Sequence, residues 1–378
     1  MRNFDVVIVG AGPAGSATAI GLARLGYEVA LLDKKSFPRE KLCGDFVNPI
    51  NWAIFRDLGV EERVRAEPHG EVTGFRITHS SGRDAEVRFR SHDRQCPMGL
   101  GLRRAALDYL LLQKAAELGA TTRLGCHVEK LSRTTQGWQL KIEEESWQAK
   151  LLIGADGRNS WVAQQLGLNR SSALQGRSVG FQSRLRCPGA TGGQIQIHLF
   201  PGGYAGVVGL GDGTITLGMA IDKRKLGRER GAEFLFTKVL AQNPHLKEIL
   251  ARSDSPAELR SVYPVHFPSR RCVADGALLV GDAARVSEPV SGEGIYFAMR
   301  SGFLAAETTG LALRRKNLTA EGLAGYERAC RRAFRSRLAL NALMRFAVYR
   351  PALIDPFIRL SAKNGRLLNS LVDAVCMP

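Results

Sequence analysis

Gly10, Gly12 and Gly15 form a G-x-G-x-x-G pattern directly after the apolar run Phe4 to Val9 and at the head of an alanine-rich segment. Glycine there lets the backbone turn sharply and approach a pyrophosphate lying on the amino end of a helix. Asp33 follows about 20 residues on, where a carboxylate accepts a hydrogen bond from a ribose hydroxyl. A carboxylate in that position argues against a 2′-phosphate. By itself this pattern serves an NAD-dependent dehydrogenase equally well. Two further runs end in the same way: Leu151-Leu152-Ile153 leads into Gly154-Ala155-Asp156-Gly157-Arg158-Asn159-Ser160, and Ala277 to Val280 leads into Gly281-Asp282-Ala283-Ala284. Pro289 and Ser291-Gly292-Glu293-Gly294-Ile295 then open a helical pattern. The amino end of a helix carries partial positive charge and is placed to stabilise an anion. A thiol, Cys43, sits in Phe37-Pro38-Arg39-Glu40-Lys41-Leu42-Cys43-Gly44-Asp45. Beside a redox cofactor it would donate a proton or hold a redox state, and otherwise it fills a turn as a small apolar side chain.

The elements that position these residues can be read along the chain. Residues 4 to 9, the helical pattern to Leu25 and the run Val29 to Leu32 read as strand, helix, strand. A helical pattern from Leu107 to Leu118 leads through Thr122 and Leu124 to another strand of the same parallel sheet. Between Val179 and Ile221 polar and apolar residues alternate between glycine turns, as in Gln194 to Phe200 and Thr214 to Leu217, which is the pattern of an antiparallel sheet. After the strand Ala277 to Val280 the chain turns helical, and from Asn317 it reads as helix almost to its end. The expected fold is α/β, a Rossmann-type dinucleotide domain with an inserted antiparallel-sheet substrate domain and C-terminal helices. Residues 1–70, 100–178 and 266–315 are assigned to the first, 71–99 and 179–265 to the second, and 316–378 to the helical region.

Composition narrows the class. The 378 residues are 44% apolar and 24% charged, as in soluble globular proteins, and apolar runs are broken well short of the roughly 20 residues that a spanning helix needs. The amino terminus has a basic residue and an apolar run, as signal peptides do, but its residues are taken by the strand, turn and helix. Cys43, Cys96, Cys126, Cys187, Cys272, Cys330 and Cys376 are odd in number and lack metal or redox spacings, so no metal is expected and a reduced cytoplasmic setting is. The formal charge is +17, and from Arg314 onward 13 Lys and Arg face 4 Asp and Glu, so an acidic partner or surface is implied. No nucleic-acid-binding module is visible, so no specific nucleic acid is expected.

Taken together, the three glycine-and-aspartate segments resemble the flavoprotein family that includes aromatic hydroxylases, flavin-dependent halogenases and geranylgeranyl reductases. The Arg39-x-Lys41-x-Cys43-Gly44 segment and the form of residues 281 to 295 are similar to the geranylgeranyl reductase branch. The resemblance implies FAD, with Asp282 on its ribityl chain, Gly292 to Ile295 by the isoalloxazine, and Arg104 near the pyrophosphate. Carried over residue by residue, it implies cofactor contacts at Gly10, Gly12, Pro13, Ala14, Gly15, Asp33, Lys34, Arg39, Cys43, Gly44, Arg104, Val128, Asp156, Gly157, Gly281, Asp282, Pro289, Gly292, Gly294 and Ile295. The branch often carries Tyr-x-Trp-x-Phe-Pro at its lipid cavity; here Gly203-Tyr204-Ala205-Gly206-Val207-Val208 keeps the tyrosine, making Tyr204 a candidate substrate contact, and lacks the rest. The Trp-x-Trp-x-Ile-Pro of halogenases has no counterpart, and Trp52, Trp138, Trp147 and Trp161 are well separated.

The expected reaction is reduction of a carbon-carbon double bond in a hydrophobic, polyprenyl-like or polyketide-like small molecule, with Cys43 as candidate acid. Hydroxylation of an aromatic or polyketide substrate by a monooxygenase is the alternative, and a flavin electron carrier would need no inserted domain. With one G-x-G-x-x-G in a strand-to-helix setting, reducing equivalents come either from transient NAD(P)H docking or from an electron donor protein. In the basic tail, Phe334, Leu338, Ala342 and Phe346 recur every four residues among Arg328, Arg331, Arg332, Arg335, Arg337, Arg345 and Arg350. Such a helix packs its stripe on its own domain or lays it on an anionic membrane, which would make the protein peripheral to the inner face of a membrane.

Overall fold

Val6, Val7 and Ile8 are all buried, without the alternation of a half-exposed strand, because the strand Arg2–Val9 lies in the middle of a sheet covered on both faces. The computed structural model describes residues 2–89, 98–169, 178–226, 231–254 and 258–377. Across its first sheet the order is Val273–Ala274, Ala277–Leu279, Glu145–Gly154, Arg2–Val9, Val29–Asp33 and Thr121–Leu124. All neighbours in that order are parallel except the first pair. An antiparallel extension, Val128–Thr134 and Gly137–Ile142, pairs onto Glu145–Gly154.

Helix α1 (Pro13–Arg24) has proline in its first turn, where the missing N–H costs nothing, and is otherwise built from small residues. Their smallness matters, because α1 packs along the long helix that follows the last sheet strand. A Cβ on Gly302 of that helix would strike the Ala14 carbonyl, and one on Gly21 would meet the Ala306 methyl at 2.6 Å. Helix α2 (Arg104–Glu117) begins three residues before the expected Leu107. The long helix is α3 (Gly294–Arg314).

The second sheet runs Arg260–Val262, Ser178–Arg186, Thr214–Asp222, Gly203–Gly209, Gln194–Phe200, Gly74–Thr78 and Asp84–Arg88. It is antiparallel as expected except at one pair, Gln194–Phe200 beside Gly74–Thr78, which is parallel. Between those two strands the chain runs through α2 and four strands of the first sheet, ample for the crossover that a parallel pair requires. Phe46–Val47, Gly99–Gly101 and Gly70–Val72 form a small third sheet.

The C-terminal helical run is three helices, α4 (Ala320–Val348), α5 (Pro351–Lys363) and α6 (Arg366–Cys376), divided at Pro351 and at Asn364-Gly365. The four-residue stripe does not stay on one side of α4. A step of four residues overshoots a full turn by about 40°, so the stripe winds around the helix. Phe334 is buried, Leu338 is half-buried against the core, and Ala342 and Phe346 are exposed. The buried seam is instead Leu323, Tyr326, Cys330, Phe334, Asn341 and Val348. Among the described residues no helix is long and apolar enough to cross a membrane. The six described cysteines are free, and Cys96 lies outside the described residues.

One buried polar cluster ties the second sheet together. Asn243 donates to Thr78 Oγ1 (2.9 Å) and to the Leu199 carbonyl (3.0 Å), and Thr78 Oγ1 lies 2.8 Å from His198 Nδ1. With its oxygen already accepting from Asn243, the Thr78 hydroxyl is free to donate to His198 Nδ1, which leaves the imidazole proton on Nε2. Burial, with smaller contributions from His245 and Arg76, lowers the His198 pKa to about 3. The folded protein therefore binds fewer protons than the unfolded chain between about pH 6.5 and pH 3, and stability falls as pH falls through that window. Urea unfolding at a series of pH values is expected to give a shallower acid loss for His198→Gln than for the parent, by up to about 1.4 kcal/mol per pH unit.

Candidate functional site

Val9 is in register with Leu32 on one side and Gly154 on the other, and Gly154 with Leu279, so four parallel strands end level. The loops that leave that carboxyl edge carry the three sequence motifs. They open on a cavity of about 760 Å³, within the roughly 300–1,000 Å³ of small-molecule sites. Gly10, Gly12, Pro13, Ala14, Asp33, Lys34, Arg39, Cys43, Gly44, Arg104, Val128, Asp156, Gly157, Asp282, Pro289, Gly292, Gly294, Ile295 and Tyr204 all line it. Gly15 and Gly281 stand behind the wall. A Cβ on Gly15 would run into the Gly10 carbonyl, and one on Gly281, whose φ is +57°, would meet the Ala14 methyl at 2.7 Å.

The glycines divide by role. Gly10, at φ +109°, has the Ala155 backbone where a side chain would go, so its need is structural. Gly12 has an ordinary φ of −73°, and a Cβ there would meet only Arg39 Nη2, at 3.4 Å. The room at Gly12 is kept for something outside the chain. No side chain caps α1 at Gly12, so its first-turn N–H groups face the cavity. Asp33 Oδ2 accepts the Ala11 N–H and Oδ1 the Lys35 N–H, both at 2.9 Å, fixing the glycine turn to the end of its neighbouring strand.

Cations gather beside this turn. Arg104 makes a two-pronged pair with the fully buried Asp108 (2.8 and 2.9 Å), and Arg39 reaches the same carboxylate at 3.3 Å. Arg158 lies 3.7 Å from Asp282. Burial pushes the Lys41 ammonium below the usual lysine value; Asp282 opposes the shift, while Arg158, Arg104 and Arg39 reinforce it. A desolvated ammonium among three guanidiniums is relieved by an anion. Asp156 lines the cavity, but its carboxylate accepts from Ser160 Oγ (2.5 Å) and the Val162 N–H (3.1 Å), so it holds the turn in shape.

At the other end of the cavity α3 starts with Gly294, where a Cβ would meet nothing within 4 Å, and no side chain caps its first N–H groups. Glu293, just before it, is buried and paired with Arg337 of α4 at 2.9 Å. Arg337 also donates to the Val375 carbonyl at 3.2 Å, and Asn48 donates to the Val375 and Ser291 carbonyls at 3.3 Å each. The end of α6 is thereby fastened beside the start of α3.

Cys43 and Gly44 pass between the two sheets. Burial pushes the Cys43 thiol above its usual value, while Arg104 beside it acts in the opposite sense. Gly206 and Gly218 face each other in register at the centre of the second sheet, and a Cβ on Gly218 would come within 3.5 Å of the Gly44 Cα. Asp45, at φ +53°, is wholly buried. Its Oδ1 accepts the Arg104 backbone N–H (3.1 Å), and its Oδ2 accepts from Thr216 Oγ1 (2.8 Å) and Arg184 Nη2 (2.9 Å). Tyr204 gives its ring to the cavity wall but its hydroxyl to the buried carboxyl of Glu288 (2.7 Å), which also accepts from Tyr349 (3.2 Å). Burial raises Glu288 above the usual carboxylate range, against the pull of the two hydroxyls.

The free N–H groups of α1, the space at Gly12, the cations and the second helix start at the far end of one cavity fit a dinucleotide with a long bridge to a ring system. Residues 3–339 match the family model described as an FAD binding domain. The chain belongs to that family, and FAD is its cofactor. A digeranylgeranylglycerophospholipid reductase of Methanothermobacter thermautotrophicus is 30% identical over 348 residues, 88% of this chain and 83% of the relative. Another of the same name, from Methanococcoides burtonii, is 27% identical over 91% of this chain and 83% of its own length. These bear out the likeness to the geranylgeranyl reductase branch. A flavoprotein/dehydrogenase from Cytophaga hutchinsonii superposes with a TM-score of 0.85 at 18% identity, over 99% of this chain and 93% of that one, which shows the fold.

Lys41, Asp45, Arg158, Glu288 and Arg337 carry site geometry that sequence reasoning did not assign. Lys41, Asp45 and Arg158 lie inside the motif segments, so only their partners were hidden. Gly12→Val is expected to fold with the parent's melting temperature as apoprotein and to purify without yellow FAD, because the added methyls take cofactor space. Asp45→Ala is expected to lower unfolding free energy by about 1–3 kcal/mol, since the Thr216 hydroxyl and the Arg104 N–H lose their acceptor at the sheet junction while Arg184 keeps its pair with Glu40 at 2.9 Å. Urea denaturation reads that loss.

Proposed function

We propose that this FAD-dependent oxidoreductase reduces carbon-carbon double bonds in a hydrophobic substrate of polyprenyl or polyketide type. One juxtaposition carries the reading: the Cys43 thiol and the start of α3 share their cavity with an apolar wall that includes Phe75, Ile195, Ile197, Val265 and Met344. The two archaeal relatives named for reducing a digeranylgeranyl glycerophospholipid support it.

Reduced FAD, when bound, supplies the hydride. The chain's part begins with the apolar wall, which takes hydrocarbon out of water at about 25 cal/mol per Å². Between Ile197 and Gln182 the row of the sheet is Gly206 and Gly218, so the middle of that wall is bare and leaves width for a chain. Adding a hydride to one alkene carbon requires a proton at the other. Cys43 keeps its proton at neutral pH because burial holds the thiol up. As that proton leaves Sγ for carbon, Arg104 stabilises the thiolate left behind, and a proton from water later restores the thiol.

In the absence of oxygen, dithionite-reduced enzyme mixed with a polyprenyl substrate is expected to regain its yellow colour as a double bond is lost. A requirement for oxygen, with one oxygen atom in the product, would replace this reading with a monooxygenase. Cys43→Ala is expected to keep FAD and slow alkene reduction about 10²–10⁴-fold. Turnover at the parent's rate would return Cys43 to a packing role.

A further inference from the structure

Among the described residues nine large apolar side chains stand exposed, and five of them, Leu343, Phe346, Leu353, Leu360 and Leu367, fall within residues 343–367. They are 43% to 65% exposed. All lie on the end of α4, on α5 or on α6, three segments whose opposite sides share one buried cluster that includes Val348, Ile354, Ile358, Leu368 and Val372. Leu343 and Phe346 are one turn apart, and Leu353 and Leu360 two turns apart, so each pair lies on one side of its helix. These helices are thus apolar on both sides, which a helix serving only as a cap is not.

The charge between the leucines has one dominant sign. From Leu343 to the end, Arg345, Arg350, Arg359, Lys363 and Arg366 face only Asp355 and Asp373. Asp355 is shared between Arg83 at 2.8 Å and Arg359 at 3.5 Å, so it offsets no more than part of that charge. Arg350 holds its guanidinium over the Phe346 ring, 4.1 Å from its centre, and donates to the Phe346 carbonyl at 2.8 Å, so a cation and an exposed apolar ring share one surface. A second copy of the chain would bring the same excess of positive charge against itself, on a molecule of formal charge +17. An anionic lipid surface complements both features.

We propose that the outer side of α5, with the end of α4 and the start of α6, docks on an anionic bilayer, the leucines entering the headgroup boundary and the cations meeting lipid phosphates. The inward side of the same helices contributes Met344, Leu371, Val372 and Val375 to the cavity wall. Docking therefore brings lipid to within one helix thickness of the cavity. This deepens the reading of that cavity as a site for a hydrophobic substrate, but the binding itself requires no turnover.

Flotation of the FAD-loaded protein with vesicles of phosphatidylcholine alone, or mixed with phosphatidylglycerol, tests the surface. The parent is expected to float with the anionic vesicles at low salt and to be released by high salt. Arg359→Gln, Lys363→Gln and Arg366→Gln together are expected to lower partition by roughly fivefold per cation removed. Leu353→Gln with Leu360→Gln is expected to lower it at either salt, with FAD content and melting temperature unchanged. Equal flotation of all three proteins, equal flotation on neutral vesicles, or none on either would overturn the proposal. So would a dimer in sedimentation velocity that the leucine substitutions dissolve, because a second copy then covers the face. Reduction of a short, water-soluble alkene by the same proteins keeps the two readings apart: normal turnover without flotation removes the docking surface alone.

Discussion

A carboxylate with no exposure to water has to be satisfied by the protein, and Asp45 is satisfied only when two sheets distant in sequence are brought together. One oxygen takes the backbone N–H that begins α2, beside the glycine turn; the other takes donors from two strands of the second sheet. Neither half alone meets the carboxylate's demand. Docking is therefore coupled to the geometry of the segment that carries Cys43 and Gly44. Arg104 takes part twice, through its backbone to Asp45 and through its guanidinium to Asp108, so the cation flanking the thiol is fixed at both ends. The thiol faces the cavity from a turn that neither sheet could hold in place by itself.

The third wall depends on a similar device. Glu293 ends the loop before α3, and its pairing with Arg337 connects that loop to α4, while Val375 at the end of α6 accepts hydrogen bonds from both Arg337 and Asn48. Asn48 lies three residues beyond Asp45 in the chain. One short stretch, Cys43 to Asn48, thus touches every wall of the cavity: first sheet, second sheet and C-terminal helices. This explains how helices so rich in exposed charge nevertheless close an apolar space. Their inner sides are held by a few buried polar contacts, and their outer sides are left free to differ.

What could be read in the sequence was what is local. The glycine turn, the strand before it and Asp33 lie within 30 residues and share one physical requirement, a backbone brought close to a phosphate, so they were assigned together with their strands and helix. Hairpins of the second sheet were legible for the same reason. The partners of Asp45 were not, since Arg184 and Thr216 lie 139 and 171 residues away and nothing in their surroundings marks them. Glu288 is adjacent to a motif residue, yet its tyrosines come from 84 residues before and 61 after. The basic stripe failed for a different reason. A spacing of four approximates a turn well over two steps and poorly over three, so Phe334 and Phe346 end on different sides of the helix, one in the core and one in solvent.

The departure from the branch's Tyr-x-Trp-x-Phe-Pro segment acquires a physical meaning from the register. Tyr204 keeps its hydroxyl on Glu288, and two residues on, Gly206 stands where the segment has its tryptophan, opposite Gly218. Glycine in the interior of a strand gives up packing and costs conformational entropy, so two facing each other need a return elsewhere. Part of it lies in the approach of Gly44, which Gly218 permits. Gly206 has no such neighbour and opens to the cavity beside Ile197. If the proposed substrate occupies this wall, the apolar contact that a tryptophan would have supplied from within the protein is left for it to supply, and a wider or more branched hydrocarbon would supply more of it. On the proposed reading, the loss of the tryptophan changes which substrate fits the wall and leaves untouched the cofactor loops, the thiol and the Asp45 junction that would perform the reduction.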